Sequence, residues 1–356
     1  MITRRVPGKL FIAGEFAVVE PGGSALLIAV DRYVTVDVAA GRDADVTVTT
    51  DIGDHTARFG WSGGRLAPVD ESVVDSRWAY VISALEVTGQ LLTDLGRPVR
   101  SISVAIASTL HDEGIKLGLG SSAAVTVGVV EAVARYHGWH PHADETYRLA
   151  LIAAARVDPR PSGADLAACV WGGWLHYRSP DRAAVLDMLA RHGIWETIHA
   201  PWPGLSVTPL RAATRTELLV GWTGTPASTG EQVGKLDLTA PPYRAFRNGS
   251  ANCVAAMVKA IVEGNDSELL NQVGRARGLL HEFDSVARLG IFTDRLTALC
   301  DAAAACGGAA KPAGAGGGDC GIALLDAESR SAAAQLRALW RASGIRPLSL
   351  RVSEPR

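Results

Sequence analysis

Lysine is scarce in this chain: of 35 basic residues among 356, only Lys9, Lys116, Lys235, Lys259 and Lys311 are lysines, and the rest are arginines. Cysteine is scarce as well. Five cysteines, an odd number with no CxxC pair, argue against a disulfide framework and against a zinc site, and read as reduced thiols. No apolar run approaches the roughly 20 residues that a membrane-spanning helix needs. The N-terminal stretch has Arg4 and Arg5 before apolar residues, but Pro7, Gly8, Lys9, Gly14 and Glu15 interrupt any signal-peptide core, so a soluble cytoplasmic protein is expected. Excess charge is missing too. With 35 basic residues against 37 acidic ones the formal net charge is -2, which removes any bulk attraction to nucleic acid or anionic lipid.

What is present is apolar substance: 47% hydrophobic and 20% charged residues are enough to bury a sizeable core and exclude a disordered chain. The length favours two domains. Strand-like stretches occur at 9–13, 25–38, 45–50 and 101–106. Helical spacing runs through Trp78, Val81, Ile82, Leu85 and Leu92, and again over 123–136, 145–155 and 164–171. The segment 200–213, rich in Pro, Gly and Thr and without a clear period, is read as the boundary between domains at 1–200 and 214–356. The second domain shows strands at 217–222, 321–325 and 348–352 and helices to about 280, at 293–305 and at 331–342. The fold class expected is α+β with two domains.

Three segments carry chemistry. Gly118-Leu119-Gly120-Ser121-Ser122-Ala123-Ala124 runs straight into a helix. Glycines let a backbone approach an anion, and the free N–H groups of a helix start favour phosphate. The serine hydroxyls can donate to phosphate oxygens or ligate Mg²⁺. Capping after a tight turn would explain one serine but not two glycines and two serines. The Walker A spacing is absent. A second cluster, Gly314-Ala315-Gly316-Gly317-Gly318, is costly in conformational entropy unless the backbone needs unusual angles or meets a ligand. Lys9, Lys116 and Lys311 lie in or beside the glycine-containing segments, where an ammonium could meet phosphate. The third segment, Pro161-Ser162-Gly163-Ala164-Asp165, opens an apolar helix. Its aspartate serves either as a helix-dipole partner or as a carboxylate facing a substrate hydroxyl. His137, His140 and His142 read as a solvated turn rather than a metal site.

Taken in order, these segments resemble the GHMP kinases. Pro7 to Glu15 is similar to the family's first motif, Gly118–Ala124 to its phosphate loop and Lys311–Gly321 to its third motif, and Pro161–Asp165 with Trp171-Gly172-Gly173 is similar to its mevalonate branch. Phe16 after Gly14-Glu15, the run Val18-Val19-Glu20-Pro21-Gly22, Lys116-Leu117 before the phosphate loop and the long third motif resemble the bacterial phosphomevalonate kinases within the family. The resemblance implies a ribosomal-protein-S5-like N-terminal domain and a ferredoxin-like C-terminal domain with the site between them. The activity it implies is ATP-dependent phosphorylation of 5-phosphomevalonate, by a monomer or homodimer. Phosphorylation of mevalonate, or a silent ligand sensor, stands as the alternative.

By motif position the resemblance implies catalytic roles for Lys9 and Asp165. It puts Lys116, Gly118, Leu119, Gly120, Ser121, Ser122 and Ala123 on ATP, with Ser122 also on Mg²⁺. Substrate would meet Lys9, Glu15, Ser162, Gly163, Asp165, Ala313, Gly314, Ala315, Gly316 and Gly317. One departure stands out: where mevalonate kinases carry a metal-binding Glu eleven residues before the aspartate, this chain has Ala154, with Asp158 nearby in sequence.

Overall fold

The computed structural model describes residues 1–356 except 43–44, 52–54, 70–77, 113 and 228. The first half comprises β1 (Ile2–Ala13), β2 (Ser24–Ala40), β3 (Val46–Thr50), β4 (His55–Ser62), β5 (Arg65–Pro68), α1 (Ala79–Asp94) and β6 (Ile102–Ser108). Next come the two-residue strands β7 (His111–Asp112) and β8 (Ile115–Lys116), then α2 (Ser121–Tyr136), α3 (Ala143–Val157), α4 (Ala164–Trp171), β9 (Trp174–Arg178), α5 (Arg182–His199) and β10 (Ser206–Leu210). The second half runs β11 (Thr216–Trp222), α6 (Thr229–Gly234), α7 (Pro241–Glu263), α8 (Asp266–Ala287) and α9 (Asp294–Ala305). It closes with β12 (Ala309–Pro312), β13 (Cys320–Asp326), α10 (Arg330–Ala342) and β14 (Arg346–Leu348).

The first sheet has eight strands in the order β10-β9-β2-β6-β3-β4-β5, with β1 paired to β2. Its pairings are antiparallel apart from the parallel β3–β6 pair. The α2 helix lies against β1 and β2 and is wrapped by α1, α3 and α4. More than half of its residues are Ala or Val, so it can be buried on most sides, as a helix in the middle of a core must be. The second sheet is a four-stranded antiparallel layer, β12-β13-β11-β14. Here α9 and α10 cover a core of Leu219, Leu299, Leu336 and Trp340, while α7 and α8 pair with each other.

Two α+β layers are therefore present, as the alternation of strand and helix patterns implied, but the reading of 200–213 as featureless needs correction. Ser206–Leu210 is strand β10, paired to β9, so the first sheet extends past residue 200. The closing strand expected at 348–352 is shorter and earlier, at Arg346–Leu348. Beyond it the tail crosses back to the first domain: Val352 bridges Val30, Pro355 bridges Gly172, and the Arg356 guanidinium donates to the Cys169 carbonyl at 2.8 Å. The helix α5 was not read from the sequence. Its apolar residues show little amphipathic order, and it contains a break at Gly193, whose φ is 79°. His137 also departs from expectation. It is buried, accepts the Arg100 N–H at Nε2 and faces the Val133 carbonyl through Nδ1, so it closes the end of α2 instead of sitting in a solvated turn.

The two domains meet along a seam to which three contacts, among others, contribute. Phe16 enters an aromatic cluster with Tyr243, Phe246 and Phe283, and the Tyr243 hydroxyl donates to the Phe16 carbonyl at 3.2 Å. The Phe11 N–H donates to the Ala313 carbonyl at 3.3 Å. The third contact is an ion pair between Lys311 and Glu15, with Lys311 fully buried.

Candidate active site

Between the layers lies a cavity of about 660 Å³. Lys9, on β1, reaches it because the β1–β2 register shifts between Pro7 and Gly8, one residue before the lysine. Such a bulge re-aims the side chains that follow it. The backbone N–H of Lys9 donates to the Leu119 carbonyl at 2.9 Å, which fixes the glycine loop against β1. The side chain then passes beneath Gly120, where an added Cβ would fall 2.8 Å from Lys9 Cε. Gly118 and Gly120 both have φ near +75°, a region that residues with side chains rarely adopt.

Gly120 is the N-cap of α2 and supplies no side-chain acceptor, so among the described residues no side chain caps the first N–H groups of this helix, and its first turn lines the cavity. Elsewhere Asp181, Asn265 and Thr293 cap α5, α8 and α9 with their side chains. The α2 terminus is thus a donor array with a favourable dipole, built for an anion. The Ser121 and Ser122 hydroxyls stand beside it, lining the same cavity.

Asp165 opens α4, again behind a left-handed glycine, Gly163, and its carboxylate lies 3.3 Å from Lys9 Nζ. Beneath this turn a buried relay holds the backbone: the Tyr177 hydroxyl donates to the Ser162 carbonyl at 2.7 Å, and the Tyr147 hydroxyl in turn donates to Tyr177 at 2.6 Å. Burial pushes both phenols far above their ordinary range, so they act as neutral donors. Tyr80 joins the cavity wall, and its phenol is also pushed up, first by burial and then by the nearby negative charge of Asp158 and Asp165.

Most residues named from the sequence converge here. Lys9, Glu15, Lys116, Gly118, Leu119, Gly120, Ser121, Ser122, Ala123, Ser162, Gly163, Asp165, Gly314 and Ala315 all line the cavity. Three do not. Ala313 is buried, and both its backbone polar groups are used in β-type bonds to Cys320 and Phe11. Gly316 packs against Ile291, and the Gly317 N–H already donates to the Ile291 carbonyl at 2.9 Å, which removes it as a donor to substrate. The lysines also separate. Lys116 is exposed on the β7–β8 hairpin at the rim. The Lys311 ammonium is sealed between Glu15 and the Pro312 carbonyl, so it is not the phosphate contact that its place beside the glycines suggested. Glu15 is correspondingly committed to Lys311.

Sequence reasoning passed over Asp319. It follows the glycines of the third motif with φ of 53°, in a conformation that Asp tolerates better than most residues. Its Oδ1 accepts the Ala227 N–H at 3.0 Å, and its carboxyl lies against Gly118. Burial pushes this carboxyl up, while Lys9 and Lys116 pull it back. The acid placed directly after three glycines was the available signal.

Among the described residues no group of three or more His, Cys, Asp or Glu side chains could hold a metal on its own. Hydroxyl and carboxylate oxygens beside an anion-binding loop nevertheless suit a Mg²⁺ ion that arrives with phosphates, which needs only one or two protein ligands. No helix among the described residues is long and apolar enough to cross a membrane.

Comparison with known proteins accords with this geometry. Residues 79–173 match the family described as GHMP kinases N terminal domain, and residues 257–344 that described as GHMP kinases C terminal. The chain is 48% identical to a phosphomevalonate kinase from a Streptomyces strain, over 98% of this chain and 96% of the relative. A solved protein of Listeria innocua superposes with a TM-score of 0.91 at 30% identity, covering 100% of this chain and 98% of that one. Phosphomevalonate kinase of Streptococcus pneumoniae, in complex with phosphomevalonate and AMPPNP, superposes with a TM-score of 0.86 at 26% identity, covering 99% of this chain and all of the other.

Proposed function

The chain belongs to the GHMP kinases, and we propose that within that family it transfers the γ-phosphoryl group of ATP to 5-phosphomevalonate, giving 5-diphosphomevalonate and ADP. The observation that carries this reading is the Lys9–Asp165 pair, 3.3 Å apart, facing the uncapped N-terminus of α2 across one cavity. The near-full-length identity to a phosphomevalonate kinase supplies the acceptor.

Phosphoryl transfer asks for positioning and charge stabilisation more than for covalent help. The triphosphate lies on the N–H groups of 121–123, with the serine hydroxyls beside it. An oxygen of the acceptor phosphate attacks the γ-phosphorus, the bond from that phosphorus to the β–γ bridging oxygen breaks, and ADP leaves. Lys9 is buried where negative charge spreads over the transferring group, and a cation fixed there before reaction acts strongly. Asp165 holds the Lys9 ammonium and the acceptor in line. Because the acceptor is already an anionic phosphate, a strong general base is not required, and positioning is the role assigned to Asp165. The Ser122 hydroxyl would help hold a Mg²⁺ ion arriving with the nucleotide, and such an ion would neutralise charge on the phosphate oxygens.

The test is phosphorus NMR of the purified protein with Mg·ATP and, in separate tubes, mevalonate, 5-phosphomevalonate and 5-diphosphomevalonate. A diphosphate signal appearing only with 5-phosphomevalonate is the expected result. Turnover of mevalonate instead would assign the alcohol as nucleophile and overturn the acceptor.

A further inference from the structure

Among the described residues four carboxylates line the cavity: Glu15, Asp158, Asp165 and Asp319. The first three each have a cation. Glu15 is paired with Lys311, and Asp165 with Lys9 at 3.3 Å. Asp158 is gripped by the Arg160 guanidinium at 2.9 and 2.8 Å, which accounts for the carboxylate that lay near Ala154 in sequence. Among the described residues Asp319 has no ion-pair partner, and only its Oδ1 is engaged, by the Ala227 N–H at 3.0 Å. Its Oδ2 would lie 2.8 Å from a Cβ built on Gly118, so the second oxygen stands against the loop that receives phosphates.

A carboxylate beside a phosphate-binding loop, felt by Lys9 and Lys116 but paired with neither, repels its ligand unless a cation lies between the two. The loop around Asp319 holds it there firmly: its N–H donates to the Thr225 carbonyl at 2.7 Å, and its carbonyl accepts from the N–H and hydroxyl of Thr223, each at 2.9 Å. A residue whose only effect was repulsion would have no need of such anchoring. The geometry points to Asp319 as the protein carboxylate that ligates the divalent cation travelling with the nucleotide, contributed by the C-terminal domain across the seam to a phosphate loop on the N-terminal domain. The inference rests on the nucleotide reading of that loop and extends it. It makes the metal a bridge between the two domains: a nucleotide without the cation would engage only one of them.

The test uses Mn²⁺ as the cation and AMPPNP as the nucleotide, with no acceptor, so that an error about 5-phosphomevalonate does not affect it. Free Mn²⁺ is followed by electron paramagnetic resonance in titrations of wild type, Asp319→Asn and Asp158→Asn. Asparagine keeps the Oδ1 acceptor for Ala227 and removes the charge. Asp319→Asn is expected to weaken Mn²⁺ binding to the protein–AMPPNP complex by about tenfold or more, while Asp158→Asn leaves it unchanged. In EDTA, AMPPNP alone should bind Asp319→Asn as well as wild type, or better.

Equal Mn²⁺ affinity in wild type and Asp319→Asn would overturn the proposal. A comparable loss of metal-free AMPPNP would overturn it too, by making Asp319 a support of the loop only. Failure of wild type to bind AMPPNP would overturn it together with the loop reading. Should Asp319→Asn not fold, electron–nuclear double resonance decides the matter on protein carrying carboxyl-¹³C aspartate in an Asp158→Asn, Asp165→Asn background. A ¹³C coupling to bound Mn²⁺ supports the ligand, and its absence overturns it.

Discussion

Two lysine–carboxylate pairs flank the same cavity, and they differ in almost every respect that matters. Lys9 and Asp165 join β1 to the start of α4 within the first domain, and the Asp165 side chain keeps 35% of its surface open to the cavity. Lys311 and Glu15 join the two domains, with side-chain exposures of 0% and 4%. A half-open pair can trade its partner for a ligand at modest cost, because water and substrate both reach it. A sealed pair cannot. Its charges were desolvated on folding, and each now depends on the other. Both lysines stood beside glycines in a chain poor in lysine. Burial, which no local pattern reveals, is what makes one suited to chemistry and the other to holding the seam.

The difference can be broken apart by substitution. The largest effect expected is on turnover. Lys9→Met should lower kcat by roughly 10³-fold, the scale of losing a preorganised charge contact, with the melting temperature nearly unchanged because Asp165 can be solvated. Asp165→Asn should also lower kcat, with the acceptor KM rising. Near-wild-type turnover in Asp165→Asn would remove it from any essential role. Steady-state kinetics and calorimetry on both variants check the pair.

Lys311→Met should show the reverse. Removing one partner of a buried pair strands the other, at about 3 kcal/mol, so thermal and urea unfolding should shift strongly while the folded fraction keeps its kcat. The double variant Glu15→Leu/Lys311→Met should regain much of that stability, since apolar replacement of a whole buried pair is often tolerated. A Lys311→Met protein that unfolds like wild type yet fails to turn over would put Lys311 in the chemistry after all.

A smaller effect is expected under Asp165. Tyr177→Phe deletes the donor to the Ser162 carbonyl and strands the Tyr147 hydroxyl. One lost buried hydrogen bond is worth about 1–2 kcal/mol of stability. Because the turn it holds carries Asp165, kcat should fall a few-fold with little change in nucleotide KM. Equal kcat in the two proteins would reduce the relay to a packing role.

Much of this arrangement was legible in the order of residues. The glycine–serine loop running into an Ala/Val helix, and the PSGxD turn into another, encode local geometry, and local geometry is what sequence patterns record. The long strand-like stretch at 25–38 became the strand on which the first sheet is built. What escaped depends on partners far away in the chain. Glu15 and Lys311 are 296 positions apart, and nothing near either says that the other will seal it. The strand at 206–210 is recognisable only through its pairing with β9, and the role of Asp319 only through the Gly118 backbone that it meets. The glycines at 316 and 317 were read as substrate donors because glycine runs serve ligands and tight packing alike. Here contact with Ile291 decides for packing.

The third lysine gives the smallest prediction and the sharpest control. Lys116 sits exposed on the rim hairpin, where its charge is shared with solvent. An exposed charge contributes roughly 0.2–1 kcal/mol to a contact and is screened over about 8 Å at physiological salt. Lys116→Ala should therefore raise the nucleotide KM by about two- to fivefold at low salt and leave kcat almost alone, and the gap from wild type should close as salt rises. Lys9→Met should show no such closure, because its charge acts inside the cavity where ions do not intervene. If salt erased both defects equally, the distinction between rim and interior would fail. If it erased neither, Lys116 would have to fold inward when nucleotide binds, and the β7–β8 hairpin would become part of the site and not its edge.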